Sequence, residues 1–333
     1  MELNLDITQE PKVKLEEEVL YDTLIIGGGP AGLNTALYAK RKGMKVGIIT
    51  ERLGGQVMDT SMVENYLGYE SMTGEGLVNK FISHVQNLQV PILKEVRVEK
   101  LSKEGELHKV HLNNGEVYQS RTLVLATGSK PRKLGIPGEQ EFSGKGVAYC
   151  AICDGPFFEG LDVVIAGGGN TAVESALDLA KIATKVDLVH RSQFRADQVL
   201  VDQLKNYDNI HIHLDTQMEE ILGEAMVTGI KVLDKNTGEQ RIMNTNGIFV
   251  EIGYLPNSDA FQDYVEVNDR KEIIVDGYGR TNVKGVFAAG DITTIPYKQI
   301  ITSAGDGAKV ALAVNDYLNT HAKIEAPQQV VAK

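Results

Sequence analysis

The sequence predicts an α/β protein made of two similar domains, and three observations support this. A glycine-rich motif that follows an apolar strand and precedes a helix occurs twice, at residues 27–32 and 167–172. Each half then closes with an apolar strand, a Gly and a Pro-containing turn, at residues 122–132 and 247–257. The length of 333 residues also exceeds what one hydrophobic core usually organises.

The first motif lies in "YDTLIIGGGPAG", where a short apolar strand runs into Gly27-x-Gly29-x-x-Gly32 and then into a helix. The first Gly permits a tight turn, the second lets the backbone approach a pyrophosphate, and the third lets the helix pack on the strand. The pyrophosphate would lie at the helix N-terminus, where free N–H groups favour anions. Glu51 follows Gly27 by 24 residues and ends the next strand, where a carboxylate can accept from an adenosine ribose hydroxyl. We therefore predict a Rossmann-like domain that binds FAD.

The second motif, Gly167-x-Gly169-x-x-Ala172 in "LDVVIAGGGNTA", repeats this arrangement. Here Arg191 follows the first Gly by 24 residues, so the two halves carry opposite charges at the equivalent position. An Arg suits a 2′-phosphate, whereas a carboxylate suits a bare ribose diol. His190 and Arg195 would add to a small basic pocket, and the second site is predicted to bind NADPH. The alternative is that both arginines are solvated charges at the entrance of a helix.

A last buried strand, in "GVFAAGD", ends at Gly290-Asp291. Ligands in open α/β sheets lie at the carboxyl ends of the strands, so Asp291 could accept hydroxyl groups of a bound nucleotide. It could also cap the turn that follows, and the two roles are compatible.

The only two cysteines are Cys150 and Cys153, in "YCAICDGPFF". A structural zinc site needs four Cys or His ligands, usually in paired clusters. His211 and His213 alternate as in a strand, so no metal site is predicted. A dithiol that cycles to a disulfide is favoured, and it requires a source of electrons.

Composition excludes several classes of function. The formal net charge is −11, which argues against nucleic acid or an anionic membrane as a partner. No apolar run approaches the roughly 20 residues that span a bilayer. The N-terminus is acidic and has no apolar signal region. We expect a cytoplasmic protein in which residues 1–20 are a flexible extension and residues 323–333 a short tail.

Six motifs in order, "GGGPAG", "LGGQV", "LATG", "CAICDG", "GGGNTA" and "GVFAAGDITTIPYKQI", resemble those of the low-molecular-weight thioredoxin reductases. The last of them and "CDGPFF" are similar to the reductase module of the flavoprotein component of alkyl hydroperoxide reductase, and the resemblance covers residues 21–318. It implies two Rossmann-like dinucleotide-binding domains, the second inserted into the first. The FAD domain would comprise residues 21–133 and 263–322, and the NADPH domain residues 134–262. That flavoprotein has an additional N-terminal disulfide domain, which we expect to be replaced here by a separate protein.

The resemblance also implies the residues of the two nucleotide sites. The FAD site would comprise Gly27, Gly29, Pro30, Ala31, Gly32, Glu51, Gly55, Gln56, Asn65, Thr127, Gly128, Asp291, Lys298, Gln299 and Ile300. The NADPH site would comprise Gly167, Gly169, Asn170, Thr171, His190, Arg191 and Arg195.

The resemblance further implies a chemistry. Cys153 would face the flavin, Cys150 would attack a disulfide of the partner protein, and Asp154 would serve as the acid. The partner would be thioredoxin or a thioredoxin-like or glutaredoxin-like protein, and the enzyme a homodimer. From local sequence alone, Asp154 could equally be a turn residue before Gly155.

One departure from the family weakens the choice of NADPH. The segment after the second nucleotide strand usually reads H-R-R-x-x-F-R in the family, whereas this chain has "HRSQFR", with the second Arg missing. NADH and ferredoxin are therefore alternative electron donors, and a peroxiredoxin-linked carrier is an alternative acceptor. A ferredoxin–NADP reductase would have no use for the Cys pair. A non-catalytic redox sensor is the alternative from another class, and it would be reduced once without turnover.

Overall fold

The computed structural model describes residues 14–60 and 62–321, and the chain separates into two compact units. The first unit contains the chain up to Lys130 and from Pro256 onward, and the second contains Pro131–Leu255. Each unit has a sheet with parallel strands and helices between them, as predicted for the α/β class. None of the helices in the described part of the chain has the length and apolar character needed to cross a membrane.

The first unit is built on a seven-stranded sheet with helices packed against it. Its elements are β1 (Leu20–Gly28), α1 (Pro30–Arg41), β2 (Val46–Leu53), α2 (Gly74–Asn87), β3 (Ile92–Leu93), β4 (Val98–Glu104), β5 (Leu107–Leu112), β6 (Val117–Leu125), β17 (Val286–Ala288) and α6 (Ile300–His321). The strand order is β3-β2-β1-β6-β5-β4, with β17 also paired to β6. The strands around β1 are parallel, whereas β5 is antiparallel to both of its neighbours, β4 and β6.

Burial on both faces explains the apolar run of β1. Leu24 and Ile26 pack into the cluster on one face of the sheet, while Ile25 packs into the cluster on the other. A strand covered on both sides reads as a continuous apolar segment, and each fully buried Leu or Ile contributes about 1.5 to 3 kcal/mol. β5, by contrast, alternates buried and half-buried residues because only one of its faces is covered.

The second unit has a five-stranded parallel sheet and a three-stranded antiparallel sheet. Its elements are β8 (Val147–Ala148), α3 (Ala151–Asp154), β9 (Asp162–Ala166), α4 (Asn170–Leu179), β10 (Lys185–Val189), α5 (Gln198–Gln203), β11 (Ile210–His213), β12 (Thr216–Gly223), β13 (Val227–Asp234), β14 (Gln240–Asn244) and β15 (Gly247–Val250). The parallel sheet has the order β11-β10-β9-β15-β8, and the antiparallel sheet has the order β12-β13-β14. The short strands β7 (Ser129–Pro131) and β16 (Tyr254–Pro256) pair where the chain passes between the units.

The second crossing between the units lies earlier than we expected. We placed it after residue 262, whereas the chain divides between Leu255 and Pro256. The physical reason is Phe261, which is fully buried in a core cluster of the first unit together with Val265. Which nucleotide each unit binds stays a prediction.

Residues 14–20, expected to belong to a flexible extension, pack onto the first unit. Leu15 is buried in its core, close enough to Gly47 that a Cβ there would lie 2.1 Å from the Leu15 side chain. The Glu17 carboxylate accepts the first backbone N–H of β6 at 2.8 Å. The expectation of a flexible extension was therefore wrong for residues 14–20. Residues 1–13 and the tail at 323–333 lie outside the described residues.

Candidate functional site

The two cysteines form a disulfide at the start of α3, a helix of four residues that follows β8. Cys150 is the N-cap of this helix, and its Sγ accepts the backbone N–H of Cys153 at 3.2 Å. The spacing of three residues brings both sulfurs to the same side of one helical turn. A disulfide held in this way can exchange with a thiolate of another molecule.

Asp154 ends the same helix, and its backbone N–H donates to the carbonyl of Cys150 at 2.9 Å. Burial raises the pKa of its carboxyl from 3.8 to about 6. The group therefore retains a proton under mildly acidic conditions, where an ordinary Asp is ionised. A carboxyl of this kind next to a disulfide can deliver a proton to a leaving thiolate.

The first glycine-rich turn joins β1 to α1, and close contacts explain two of its glycines. A Cβ on Gly27 would lie 2.2 Å from the carbonyl oxygen of Ala126, and a Cβ on Gly32 would lie 2.0 Å from the carbonyl oxygen of Gly27. Gly29 is the N-cap of α1 and faces open space, with nothing within 4 Å of the position of a Cβ. The turn thus exposes backbone at the start of a helix.

The start of α1 suits an anion. Pro30 occupies its first turn, no side chain caps it, and its first turn has no acidic residue. In α2, by contrast, Thr73 accepts the N–H of Gly76 at 3.1 Å and Glu75 lies in the first turn. The first turn of α1, which includes Ala31, therefore leaves its N–H groups to a ligand, as a pyrophosphate would require.

Several predicted FAD residues surround this turn. Gly55 opens a 3-10 helix beside it, with its Cβ position 3.3 Å from the Cα of Gly29. The Gln56 side-chain amide donates to the carbonyl of Ser129, close to Gly128. Glu51 lies near the end of β2 with an exposed carboxylate.

Two further pairs involve predicted FAD residues. The Asn65 amide donates to the side-chain oxygen of Gln299 at 3.1 Å. The Thr127 hydroxyl donates to the carbonyl of Asn257 at 2.8 Å, and the Asn257 N–H donates to the carbonyl of Gly128 at 2.9 Å. The two hydrogen bonds to Asn257 fix the turn after β6. The Thr127 hydroxyl already has an acceptor within the protein.

The segment after β17 supplies the remaining FAD residues. Burial raises the pKa of Asp291, whose carboxylate accepts from the Ser303 hydroxyl at 2.8 Å. The Lys298 ammonium donates to the carbonyl of Thr293 and lies 3.5 Å from Glu272. Ile300 begins α6. Asp291 keeps acceptor capacity for a hydroxyl, whereas Lys298 has an ion-pair partner inside the unit.

These residues fit FAD. The open Gly29, the uncapped start of α1 and the exposed carboxylate of Glu51 supply space, donors and a ribose acceptor, and Asp291 supplies a half-buried acceptor. Their roles in binding stay predictions.

The second glycine-rich turn joins β9 to α4 in the same way. A Cβ on Gly167 would lie 2.4 Å from the carbonyl oxygen of Glu251, while Gly169 faces open space as the N-cap of α4. No side chain caps α4, and its first turn has no acidic residue. The Asn170 side chain donates to the Asp197 carboxylate at 2.8 Å and accepts the Asp197 N–H at 2.9 Å. Thr171, in that first turn, is exposed.

Three cationic side chains come from segments close to this turn. Arg191 is exposed just after β10, and Arg195 is held by its N–H, which donates to the carbonyl of Gly168 at 2.7 Å. The structure adds Lys235, which the sequence did not point to. Its ammonium donates to the carbonyl of Arg191 at 3.1 Å, across 44 residues of chain. Lys235 thus adds a third positive charge next to the backbone of Arg191.

The ring of His190 is buried, whereas the sequence predicted that it would contribute to a basic pocket for a ligand. A Cβ on Gly168 would lie 2.3 Å from this ring. Burial lowers the pKa of His190 below 6.5, and the charges of Arg195 and Arg191 lower it further. We therefore expect a neutral ring that packs against the turn. The two arginines and Lys235 fit a 2′-phosphate better than His190 does.

Metal ligation finds no support among the described residues. No group of three or more His, Cys, Asp or Glu side chains in residues 14–60 and 62–321 could hold a metal ion. His213, on the strand β11, has its Nε2 2.8 Å from the carboxylate of Asp187.

Comparisons with known proteins agree with this arrangement. A family model described as pyridine nucleotide-disulphide oxidoreductase matches residues 21–313. The F subunit of alkyl hydroperoxide reductase in Staphylococcus aureus is 45% identical over 306 residues, which cover 92% of this chain and 60% of that protein. Its namesake in Pseudomonas putida is 44% identical over 322 residues, covering 96% and 62%. The chain thus spans about three fifths of the length of these relatives.

Solved structures of thioredoxin reductases are also similar. The one from Streptococcus pyogenes has a TM-score of 0.85 and 36% identity, and the match covers 90% of this chain and 99% of that chain. The one from Giardia duodenalis has the same TM-score and coverages at 32% identity. The predicted fold class, with two Rossmann-like domains, is thereby confirmed.

Proposed function

Because the chain belongs to the pyridine nucleotide-disulphide oxidoreductase family, we propose that it is an FAD-dependent disulfide reductase. It passes electrons from NADPH to the Cys150–Cys153 disulfide and from there to a thioredoxin-like protein. The observation that carries the proposal is the disulfide on α3, with the half-buried acid Asp154 on the same helix and a glycine-rich turn in the same unit.

The bound FAD supplies two-electron transfer from a reduced pyridine nucleotide to a disulfide, a reaction for which amino acid side chains have no counterpart. In this proposal the first unit holds FAD through the start of α1, with Glu51 at the ribose and Asp291 at a hydroxyl of the ligand. The second unit holds the nicotinamide nucleotide at the start of α4, with Arg191, Arg195 and Lys235 at the 2′-phosphate.

The Cys pair carries out the exchange with the partner. The thiolate of Cys150 attacks one sulfur of the partner's disulfide, which forms a mixed disulfide and releases the other sulfur as a thiolate. Asp154 supplies the proton to that leaving group. Cys153 then attacks the sulfur of Cys150, which restores the disulfide in this chain and releases the second partner thiol. One disulfide is reduced and one is formed, so electrons balance.

A second candidate acceptor is favoured by a specific observation. The relatives at 44–45% identity are named as F subunits of alkyl hydroperoxide reductase. The chain could therefore serve a peroxiredoxin-linked or glutaredoxin-like carrier, with NADH or ferredoxin as the donor given the missing second Arg. A homodimer and a cytoplasmic location also stay predictions, and the first can be tested by light scattering.

One experiment separates these possibilities. The purified protein, loaded with FAD, is titrated without oxygen with NADPH, NADH and reduced ferredoxin while the flavin absorption is followed. Turnover is then measured with thioredoxin and with a disulfide-form peroxiredoxin, and Cys150→Ser is the control that should reduce neither. A protein that accepts electrons once and does not turn over with any acceptor would instead be a redox sensor.

A further inference from the structure

Glu251 lies directly after β15 and is only 6% exposed. Its carboxylate accepts the N–H of Ala151, the first residue of α3, at 3.1 Å. The hydroxyl of Ser175, on α4, donates to the same carboxyl. A single buried carboxyl thus joins the redox helix to the helix that follows the second glycine-rich turn.

The backbone of Glu251 also touches that turn. Its N–H donates to the carbonyl of Ala166 at 2.8 Å, and its own carbonyl oxygen would lie 2.4 Å from a Cβ on Gly167. The residue therefore contacts the nucleotide turn with its main chain and the disulfide-bearing helix with its side chain.

The first unit shows that the turn itself does not need the carboxyl. There the equivalent contact, 2.2 Å from a Cβ on Gly27, is made by the carbonyl of Ala126. Ala126 precedes Thr127-Gly128 as Glu251 precedes Ile252-Gly253. The first unit builds the same turn with a methyl side chain and has no redox helix. The carboxyl of Glu251 must then have a role in a feature that only the second unit has, and the redox helix is such a feature.

The charged group that acts on the Glu251 carboxyl is another acid, Asp154. Burial raises the pKa of the Glu251 carboxyl to about 7, and the negative charge of Asp154 adds to this. Ser175 and the N–H of Ala151 are neutral donors, and no cation pairs with Glu251 among residues 14–60 and 62–321. Above neutral pH the carboxylate is therefore a buried and uncompensated negative charge at the helix that carries both cysteines.

We propose that Glu251 is a positioning residue for the redox helix and that its negative charge limits the reactivity of the Cys150–Cys153 dithiol. The inference rests on the proposed function, in which this dithiol is the working form. A nearby negative charge disfavours a thiolate, and the thiolate is the attacking species in exchange. Glu251 holds α3 in place and keeps the reduced pair protonated to higher pH.

The test uses the full chain, reduced with dithiothreitol, and needs no flavin or coenzyme turnover. The rate of alkylation by iodoacetamide is measured against pH by mass spectrometry, which reports the thiolate population of each Cys. Glu251→Gln keeps the acceptor for the Ala151 N–H and removes the charge. We expect its alkylation midpoint to fall by about 0.5 to 1 pH unit, with a thermal midpoint close to that of the unchanged protein.

Two further variants separate charge from structure. Glu251→Ala, the residue that the first unit uses, should show the same downward shift and also lose protection of the α3 amides from hydrogen exchange. Asp187→Asn removes another buried carboxylate of this unit, one that contacts His213 and not α3. This control should change stability and leave the alkylation midpoint where it was.

The proposal is overturned if Glu251→Gln and Glu251→Ala keep the midpoint of the unchanged protein, or if Asp187→Asn shifts it equally. If the shift is present but no coenzyme supports disulfide turnover, the inference about Glu251 holds and the proposed function fails. The two failures are therefore distinguishable.

Discussion

The two glycine-rich turns have nearly the same backbone and opposite charges beside it. Gly29 and Gly169 cap their helices with φ, ψ of −81°, −173° and −98°, −179°. At the end of the neighbouring strand, the first unit has Thr50-Glu51 and the second has His190-Arg191. Under the proposed function, the glycine pattern would hold a pyrophosphate in both units, and the charge beside it would distinguish the two nucleotides.

The side chains that pack on the turns differ as well. Gly28, the residue after the first glycine of the first motif, lies against Thr50, and its counterpart Gly168 lies against the His190 ring. The first glycine lies against the carbonyl of Ala126 or of Glu251. The two turns share backbone contacts and differ in these side chains, so we expect substitutions to affect the two units separately.

The largest expected effect comes from filling the first glycine of either turn. A Cβ would lie 2.2 Å from a carbonyl oxygen at Gly27 and 2.4 Å from one at Gly167, so backbone must move in both variants. We expect Gly27→Ala to purify without flavin absorption, and Gly167→Ala to keep it while losing coenzyme affinity about a hundredfold. Absorption spectra and coenzyme titrations measure this. Gly277→Ala, at a position with open space, is the control. If either variant lost both flavin and coenzyme binding, the prediction that the two units bind their ligands independently would be contradicted.

The next effect concerns the charge at the strand ends. We expect Arg191→Ala to lower the preference for NADPH over NADH by about tenfold, because a charge-assisted contact to the 2′-phosphate is lost. Glu51→Gln, the matched change in the first unit, should weaken flavin retention and leave the coenzyme preference unchanged. The ratio of kcat/KM for the two coenzymes measures this. An unchanged ratio in Arg191→Ala would remove the assignment of the second site to NADPH.

A smaller effect is expected at Lys235, which supports the second site through the carbonyl of Arg191. Lys235→Ala should raise the KM for NADPH about threefold and leave that for NADH unaltered, since the exposed charge is partly screened by solvent. Lys231→Ala removes a lysine of strand β13 that lies 3.7 Å from Glu219, and it should change neither constant. Equal effects of the two variants would show that only overall charge matters.

The smallest effect is expected at His190. Its pKa is lowered, mainly by burial, so the folded protein binds fewer protons there than the unfolded chain. The stability it contributes is present above the unfolded pKa and is lost as pH falls. His190→Thr, which installs the residue found in the first unit, should therefore lose less stability as pH falls below 6.5, the ordinary pKa of His. Urea unfolding at several pH values measures the difference. A variant whose stability falls as steeply with acid as that of the unchanged protein would show that His190 is not responsible.

Much of the candidate site could be predicted because it is local in sequence. Gly27 and Gly167 sit between a strand and a helix, and Cys150 and Cys153 share one turn of helix, so spacing alone identifies them. Lys235 and Glu251 could not be found in this way, because their partners lie 44 and 100 residues away. The one available signal was the alignment of "LATG" with "VEIG", which shows a carboxyl in the second half where the first has a methyl group.

The sequence by itself determined the class of fold, the two glycine-rich turns and the redox pair, because each depends on residues that are neighbours in the chain. Tertiary structure decided what surrounds them. It placed Glu251 beside the redox helix and Lys235 beside Arg191, and it buried the ring of His190 against a turn where we expected a ligand contact. The physical reason is that these contacts depend on the order of strands in the sheets and on where each strand ends. Those are set by packing across the whole unit and leave no local pattern in the sequence.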